Sequence, residues 1–83
     1  MEIDLRGLRA DEAVAELERR IDAAYLSGMP FVRIIHGKGS GALRKAVREA
    51  LSANPAVKTL ESGKDEEGGD GVTIAFLISD FRF

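Results

Sequence analysis

One stretch of the sequence combines a titratable side chain, a fixed positive charge and a glycine-rich turn. The only histidine, His36, follows an apolar run, and Lys38 stands among Gly37, Gly39 and Gly41. Glycine adopts positive φ angles readily and lets a ligand approach the backbone closely. A helix that begins just after such a turn directs its first amide groups toward an anion. The spacing therefore predicts a phosphate-binding turn with an imidazole and an ammonium group on its rim.

Two better-known phosphate motifs do not fit this turn. A Walker loop requires Gly-x-x-x-x-Gly-Lys-Ser/Thr, but Gly39 follows Lys38 and no glycine stands at the required distance before Gly37. The dinucleotide pattern Gly-x-Gly-x-x-Gly fails at Ala42. Nucleotide binding is therefore disfavoured. A purely structural turn is the alternative, although three glycines in five residues lose more conformational entropy than an ordinary turn requires.

Asp4 and Arg6 are the second pair of candidates. They lie near the end of the first predicted strand, and His36 lies at the end of the second. If these strands are parallel neighbours, their carboxyl ends share one edge of the sheet, where ligands of α/β proteins bind. One interpretation is a surface ion pair of little energetic value. The other is a cluster of carboxylate, guanidinium, imidazole and ammonium around one phosphate.

Composition restricts the class of protein. The chain has 83 residues, a net charge of −2 and no cysteine, which indicates one small domain without disulfides or thiolate metal sites. A single histidine excludes a multi-histidine metal site. No apolar run reaches the roughly 18 residues of a membrane span, and no signal-like N-terminus is present. We therefore expect a soluble, cytoplasmic protein without membrane contact.

Charge is distributed unevenly along the chain. Five basic residues and no acidic residue occupy positions 33–48, whereas acids cluster at 11–18 and 61–70. The basic residues are Arg33, Lys38, Arg44, Lys45 and Arg48. A positive face can bind a phosphate backbone, but a solvated helix face is the equally simple alternative. The acidic run at 65–70 lacks the ligand spacing of an EF-hand and is interpreted as a solvated loop.

Hydrophobic periodicity predicts the order βαβαββ. Glycine and proline at the element ends support these boundaries. The predicted strands cover residues 1–7, 31–35, 57–60 and 72–77, the helices 10–27 and about 40 or 41 to 53, and a mobile polar hairpin loop 61–71. The expected fold is α/β in the α+β sense, a two-layer sandwich with a mixed four-stranded sheet, two helices and an interior last strand. Residues 78–83 could extend the last strand, fold onto the open sheet face, or be added residues.

Several blocks of the sequence, in order, closely resemble the Smr (small MutS-related) domain. They are Ile3-Asp4-Leu5-Arg6-Gly7, Glu12-Ala13, Val32-Arg33-Ile34-Ile35-His36-Gly37-Lys38-Gly39-Ser40-Gly41-Ala42-Leu43-Arg44 and Gly68-Gly69-Asp70-Gly71-Val72-Thr73. The resemblance is greatest to the version at the C-terminus of the second bacterial MutS-type protein. It covers residues 1–77 as one domain and leaves 78–83 as a tail.

The resemblance implies a sandwich similar to the C-terminal domain of bacterial translation initiation factor three. It also implies a nicking endonuclease that acts on branched or recombining DNA, or on RNA at stalled ribosomes. Asp4 and the run His36-Gly37-Lys38-Gly39 match the family motifs Leu-Asp-x-His and His-Gly-x-Gly. Arg6 replaces the second histidine of many relatives and, being always protonated, is a poor general base.

These inferences define one functional hypothesis and two rivals. Asp4, Arg6 and His36 are the predicted catalytic residues, with His36 as general acid or base and with Arg6 and Lys38 stabilising the phosphate. The predicted nucleic-acid contacts are Gly37, Lys38, Gly39, Ser40, Gly41, Arg44 and Lys45. No cofactor is firmly implied; Mg²⁺ or another divalent cation is an alternative, with Asp4 as its candidate ligand.

The predicted partners are DNA or RNA, with the ribosome as an alternative, within a longer MutS-type ATPase chain. The first rival hypothesis is a non-catalytic module that binds DNA junctions or ribosomal RNA. The second is a protein–protein docking module, whose affinity would not depend on salt.

Overall fold

A computed structural model of the chain describes residues 1–39, 41–64 and 69–78. Within them it confirms the predicted order βαβαββ and the α+β fold class. The elements are β1 (Glu2–Asp4), α1 (Ala10–Leu26), β2 (Phe31–Ile35), α2 (Ala42–Ser52), β3 (Val57–Ser62), a 3-10 turn (Gly69–Gly71) and β4 (Val72–Leu77).

The four strands form one mixed sheet in the order β1-β2-β4-β3. β1 pairs parallel to β2, with Asp4 opposite Ile35. β4 runs antiparallel to both of its neighbours, and Thr73 lies opposite Ile34 on one side and Ser62 on the other. The predicted parallel pair and the interior position of the last strand are both confirmed. The carboxyl ends of β1 and β2 therefore meet the start of β4 at one edge of the sheet.

Both helices contribute to a core on one face of the sheet. The apolar stripe predicted for α1 is confirmed at its centre, where four side chains are buried, while Val14 and Tyr25 are only half-buried. The buried core consists of Ala13, Leu17, Ile21 and Ala24 of α1, Val47 and Leu51 of α2, and Ile3, Leu5, Val32, Ile34, Ala75 and Leu77 from the sheet side. Because strand side chains alternate between faces, this core defines the helix-covered face.

The bounds of β1, α1, α2 and β3 differ from the prediction, α1 by one residue at its end. β1 has three residues instead of seven, and α2 begins at Ala42. β3 continues to Ser62 because Glu61 and Ser62 pair with β4 at the exposed edge of the sheet, where polar side chains remain in water. The predicted 61–71 loop is therefore too long at both ends, since its last three residues form the 3-10 turn. Its acidic part at 65–68 and the tail at 79–83 lie outside the described residues.

Neither helix in the described ranges combines the length and hydropathy needed to cross a membrane.

Candidate functional site

Asp4 and Arg6 form an exposed ion pair at the end of β1. The backbone N–H and the Nε of Arg6 each donate to Asp4 Oδ1 at 3.0 Å, and Nη2 donates to Oδ2 at 2.7 Å. The side chains are 62% and 47% exposed for Arg6 and Asp4, respectively. The side-chain and then the backbone hydrogen bonds from Arg6 lower the pKa of Asp4 to about 2. The carboxylate thus holds the guanidinium in a defined position at the surface.

Arg6 lies against the first glycine of the turn. A Cβ atom at position 37 would stand 3.4 Å from Arg6 Cγ, and Gly37 itself has a φ of +80°. The parallel pairing of the first two strands brings these segments together, and Leu5 N donates to Ile35 O at 2.8 Å just before them. The sequence-predicted meeting of Arg6 with the glycine turn is therefore observed, through the aliphatic stem of the arginine.

His36 lies on the helix-covered face and is only 4% exposed. Its Nδ1 lies 3.0 Å from the Gly37 carbonyl oxygen, and its Nε2 lies 2.8 Å from Thr73 Oγ1. Burial lowers the pKa of His36, and the positive charges of Arg44 and Arg48 lower it further, while the hydrogen bond to Gly37 acts in the opposite direction. The imidazole is therefore held neutral at neutral pH.

The expected four-group cluster is divided between the two faces of the sheet edge. Asp4 lies between the core residues Ile3 and Leu5, so its side chain points away from the helices. His36 continues the alternation of Val32 and Ile34 and points toward them. In the described part of the chain, His36 has no hydrogen bond or ion pair with Asp4 or Arg6. Asp4 therefore orients Arg6 and does not contact the imidazole.

The glycine turn lies between the Asp4–Arg6 pair and His36 and contacts both. Its three glycines have positive φ angles of +80°, +28° and +87° at Gly37, Gly39 and Gly41, as the sequence predicted. The backbone N–H groups of residues 36 and 37 both donate to the Gly71 carbonyl at 3.0 Å, which ties the turn to the start of β4. Lys38 and Gly39 are exposed. Ser40, the remaining predicted contact in the turn, lies outside the described residues.

A basic surface continues from the turn along α2. Arg44, Lys45 and Arg48, with Glu49, Ser52 and Ala53, line an open cleft of about 700 Å³. Arg48 Nη2 donates to Ser62 Oγ at 2.8 Å. Burial and the charge of Arg44 lower the pKa of Arg48.

Arg44 and Arg48 differ from the other described arginines in their ion pairing. Within residues 1–39, 41–64 and 69–78, Arg44 and Arg48 are the arginines without a carboxylate partner; the paired ones are Arg6, Arg9, Arg19, Arg20 and Arg33. The two half-buried guanidinium groups, of which Arg48 also experiences the negative charge of Asp70, form a candidate site for an anion.

The residues around Asp4 do not fit a divalent cation. Both carboxylate oxygens already accept hydrogen bonds from Arg6, and a metal ion bound there would lie beside the positive charge of that guanidinium. Elsewhere in the described ranges, no three His, Cys, Asp or Glu side chains converge as metal ligands would. The alternative in which Asp4 binds Mg²⁺ therefore has no support from the geometry.

Sequence reasoning missed Thr73, Gly71 and Arg48 as members of the site. Arg48 was visible in the basic run, but its lack of a carboxylate partner within the described ranges depends on tertiary placement. Thr73 lies two residues before the inward-facing Ala75 and four before Leu77, so the alternation along β4 indicated that its side chain points inward. Only the strand register could place it beside His36.

The fold and the turn together define a small α/β domain with a candidate anion site at one sheet edge. The chain belongs to the Smr domain family, whose family model matches residues 3–78. This confirms the resemblance inferred from the motifs.

Relatives named Endonuclease MutS2 contain a similar segment. The chain is 55% identical over 76 residues to the Endonuclease MutS2 of Symbiobacterium thermophilum and 53% identical over 77 residues to that of Geobacillus sp. strain WCH70. These matches cover 92% and 93% of this chain but about 10% of either relative. The chain therefore spans about a tenth of the length of the curated relatives it matches.

Solved structures agree with the fold. The crystal structure of the Smr domain of Thermus thermophilus MutS2 matches with a TM-score of 0.90 and 43% identity, over 93% of this chain and 96% of that one. YdaL, a stand-alone small MutS-related protein from Escherichia coli, matches with a TM-score of 0.79 and 24% identity, over 92% of this chain and 63% of that one. The YdaL likeness concerns the fold alone.

Proposed function

We propose that this domain is a nucleic-acid-binding, nicking endonuclease module. The observation that carries the proposal is the surface guanidinium of Arg6, which Asp4 holds in place against the glycine turn, next to the exposed Lys38. Donors that are already oriented stabilise charge on a phosphoryl oxygen without reorganisation during the reaction. Relatives named Endonuclease MutS2 support the same class of activity.

Each predicted catalytic residue has a distinct role in this proposal. Arg6 and Lys38 neutralise the scissile phosphate and the charge that develops on it. Asp4 orients Arg6 through the bonds to both of its oxygens. His36 is the general acid or base, and its lowered pKa keeps it in the neutral form that accepts a proton. Proton transfer through Nε2 requires that the imidazole leave Thr73 when substrate binds, because both ring nitrogens are engaged in the free domain.

The bound strand continues from the turn onto α2 in this proposal. The proposed phosphate contacts are Gly39, Ser40 and Gly41 of the turn and the side chains of Lys38, Arg44, Lys45 and Arg48. Gly37, also a predicted contact, has no free N–H for a phosphate because it donates to the Gly71 carbonyl. Arg44 and Arg48 are one helical turn apart and lack carboxylate partners in the described ranges, so neighbouring phosphates can neutralise them. The proposal assigns no role to a metal ion, because the guanidinium of Arg6 is hydrogen-bonded to both carboxylate oxygens of Asp4.

We propose substrates of the kinds that the family resemblance implies. They are branched or recombining DNA, or RNA at stalled ribosomes, in the cytoplasm. The domain would act as one part of a longer MutS-type ATPase chain, consistent with its one-tenth share of the relatives' length.

Two substitutions at His36 test the chemistry. His36→Ala removes the imidazole, and His36→Asn retains a donor that can reach the Gly37 carbonyl but cannot titrate. If the imidazole transfers a proton, nicking of supercoiled plasmid falls on the order of a hundredfold or more in both variants. Binding of a fluorescent oligonucleotide, measured by anisotropy, stays within about threefold of the parent because the phosphate contacts remain.

Two outcomes with these variants would contradict a catalytic role of His36. Full nicking by His36→Asn with loss in His36→Ala would show that the histidine only supports the turn. Unchanged nicking in both would remove His36 from the mechanism. Thermal unfolding of both variants controls for loss of the fold.

A binding module without catalysis is the second candidate, favoured by the burial and double hydrogen bonding of His36. It would use the same basic surface on DNA junctions or ribosomal RNA. The discriminating experiment incubates highly purified chain with closed circular DNA, in parallel with EDTA and with Mg²⁺. Nicking that co-purifies with the chain and is lost in Arg6→Ala supports the enzyme; binding with no nicking under either condition supports the module.

A further inference from the structure

In the described part of the core, two buried side chains form a hydrogen bond with each other. Among the described residues, His36 and Thr73 are the two buried polar side chains, with exposures of 4% and 0%. They lie on neighbouring strands and bond to each other at 2.8 Å. Because a buried polar group without a partner costs free energy, each side chain satisfies the other.

The chemistry of the partners determines which ring nitrogen carries the proton. The Gly37 carbonyl oxygen can only accept, so Nδ1 must be the donor in their 3.0 Å contact. In the neutral imidazole Nε2 is then an acceptor. The Thr73 hydroxyl can donate, and it must do so to complete the pair. Free histidine in water prefers the opposite tautomer, with its proton on Nε2.

We propose that Thr73 is the positioning residue of the site: by donating to Nε2, its hydroxyl reinforces the Nδ1-protonated form that the Gly37 carbonyl favours and so helps to hold that carbonyl at the start of the glycine turn. The tautomer follows from the contacts alone; only the expected effect on nicking rests on the proposed function.

The surrounding backbone supports this role. The carbonyl of Gly71 accepts hydrogen bonds from the N–H groups of both His36 and Gly37 at 3.0 Å. Thr73 lies two residues further along the same segment and reaches the side chain of His36. The end of the 3-10 turn and the start of β4 therefore bind both the backbone and the imidazole of His36. The charged groups that act on the imidazole, Arg44 and Arg48 of α2, both disfavour a second ring proton.

The test combines nitrogen NMR of the imidazole with three forms of the 83-residue chain: the parent, Thr73→Val and Thr73→Ser. Spectra at about pH 8, above the ordinary histidine pKa, should show the parent with a proton on Nδ1 and none on Nε2. Thr73→Val keeps the side-chain shape but removes the hydroxyl, and the ring should shift toward the tautomer mixture of free histidine. Thr73→Ser should restore the parent spectrum.

The same variants should affect nicking in parallel. A loss on the order of tenfold is expected for Thr73→Val, because a ring that carries its proton on Nε2 has no acceptor there when it leaves position 73 for the substrate, and Thr73→Ser should recover most of the activity. A merely structural role would change stability without changing the tautomer.

Several results would overturn the proposal. A proton on Nε2 in the parent would do so without any variant, which covers the case in which Thr73→Val does not fold. A parent-like spectrum in Thr73→Val, or a Val-like spectrum in Thr73→Ser, would show that the hydroxyl is not responsible. If the parent chain nicks nothing, the spectra still decide the tautomer while the proposed nuclease function fails.

Discussion

The pair at the end of β1 and the pair at the end of β2 have nearly equal bond lengths in very different surroundings. Arg6 Nη2 lies 2.7 Å from Asp4 Oδ2, and His36 Nε2 lies 2.8 Å from Thr73 Oγ1. The first pair is 62% and 47% exposed, whereas the second is 4% and 0% exposed. Water competes for the first contact and is excluded from the second.

This difference indicates a division of tasks along one sheet edge. An exposed ion pair adds little to stability, because water and salt screen it, but its charge is available to a ligand. Breaking a buried hydrogen bond leaves groups that no water can satisfy. In the proposed function, the exposed Asp4–Arg6 pair (the rim pair) meets a phosphate. The His36–Thr73 pair (the buried pair) holds the turn and positions His36 until substrate binds, and Gly37 contacts both pairs.

The largest expected effect comes from removing the rim guanidinium. Arg6→Ala should reduce nicking of supercoiled plasmid on the order of a hundredfold, the usual consequence of losing one oriented charge-stabilising donor. Its thermal unfolding should match that of the parent. Arg9→Ala is the control, since Arg9 is exposed and paired with Asp11 at 3.4 Å. A large fall in stability would mean that the rim pair also supports the fold, which would contradict the proposed division of tasks between the two pairs.

Substitution of the residue that joins the two pairs should affect both of them. Gly37→Ala places a side chain at a φ of +80° and 3.4 Å from Arg6 Cγ, and it should lower the free energy of unfolding by about 1–2 kcal/mol. Gly71→Ala is the matched control, because its added Cβ would meet only ordinary contacts at 3.5 Å. Urea unfolding measures both variants. Equal losses would show that the conformation of Gly37 is not what matters.

The two pairs should respond to acid in different pH windows. The folded-state pKa of His36 lies below its ordinary value of 6.5, so the unfolded chain binds a proton first as the pH falls. Stability should therefore decrease as the pH drops from 6.5 toward the lowered pKa. Asp4, with a pKa of about 2 instead of 3.8, should respond only between those values, and weakly because the pair is exposed.

Unfolding by urea at a series of pH values measures this effect. His36→Asn is the control, since it cannot titrate and should lack the decline below pH 6.5. A parent chain whose stability rises on acidification through that window would contradict a neutral, buried imidazole.

The smallest expected effect concerns the basic surface of α2. Arg48→Gln should reduce the slope of log affinity against log salt for an oligonucleotide by about 0.7–0.9, the contribution of one phosphate contact. Arg19→Gln is the control, because Arg19 is paired with Glu16 at 2.7 Å on α1. Anisotropy titrations at several salt concentrations provide the slopes. Affinity that does not depend on salt would favour a protein–protein docking module instead.

Most of the fold could be predicted because its signals are local. The apolar stripe around Leu17 and Ile21 and the left-handed residue Gly28, which has a φ of +77°, delimited α1. The end of β3 could not be predicted, since Glu61 and Ser62 are polar and enter the sheet only through their pairing with β4.

The candidate site was predicted in its residues more completely than in its geometry. The glycine turn and its contact with Arg6 follow from parallel strands that end at one edge. The alternation along the strands indicates the two faces, since Asp4 lies between the inward-facing Ile3 and Leu5, whereas His36 lies two residues after the inward-facing Ile34. The division was not predicted because both segments end at the same edge of the sheet. Among the described residues, the lack of carboxylate partners at Arg44 and Arg48 depends on which side chains reach α2, and no local pattern encodes that.

The amino-acid sequence by itself determined the order of the elements, the positive φ angles of the turn and membership of the Smr family, because periodicity, glycine placement and motif spacing are properties of neighbouring residues. Tertiary structure alone decided that the imidazole is buried against Thr73 while the guanidinium of Arg6 stays in water. The physical reason is strand register: it sets which side chains from distant segments lie opposite each other, and thereby which are removed from solvent.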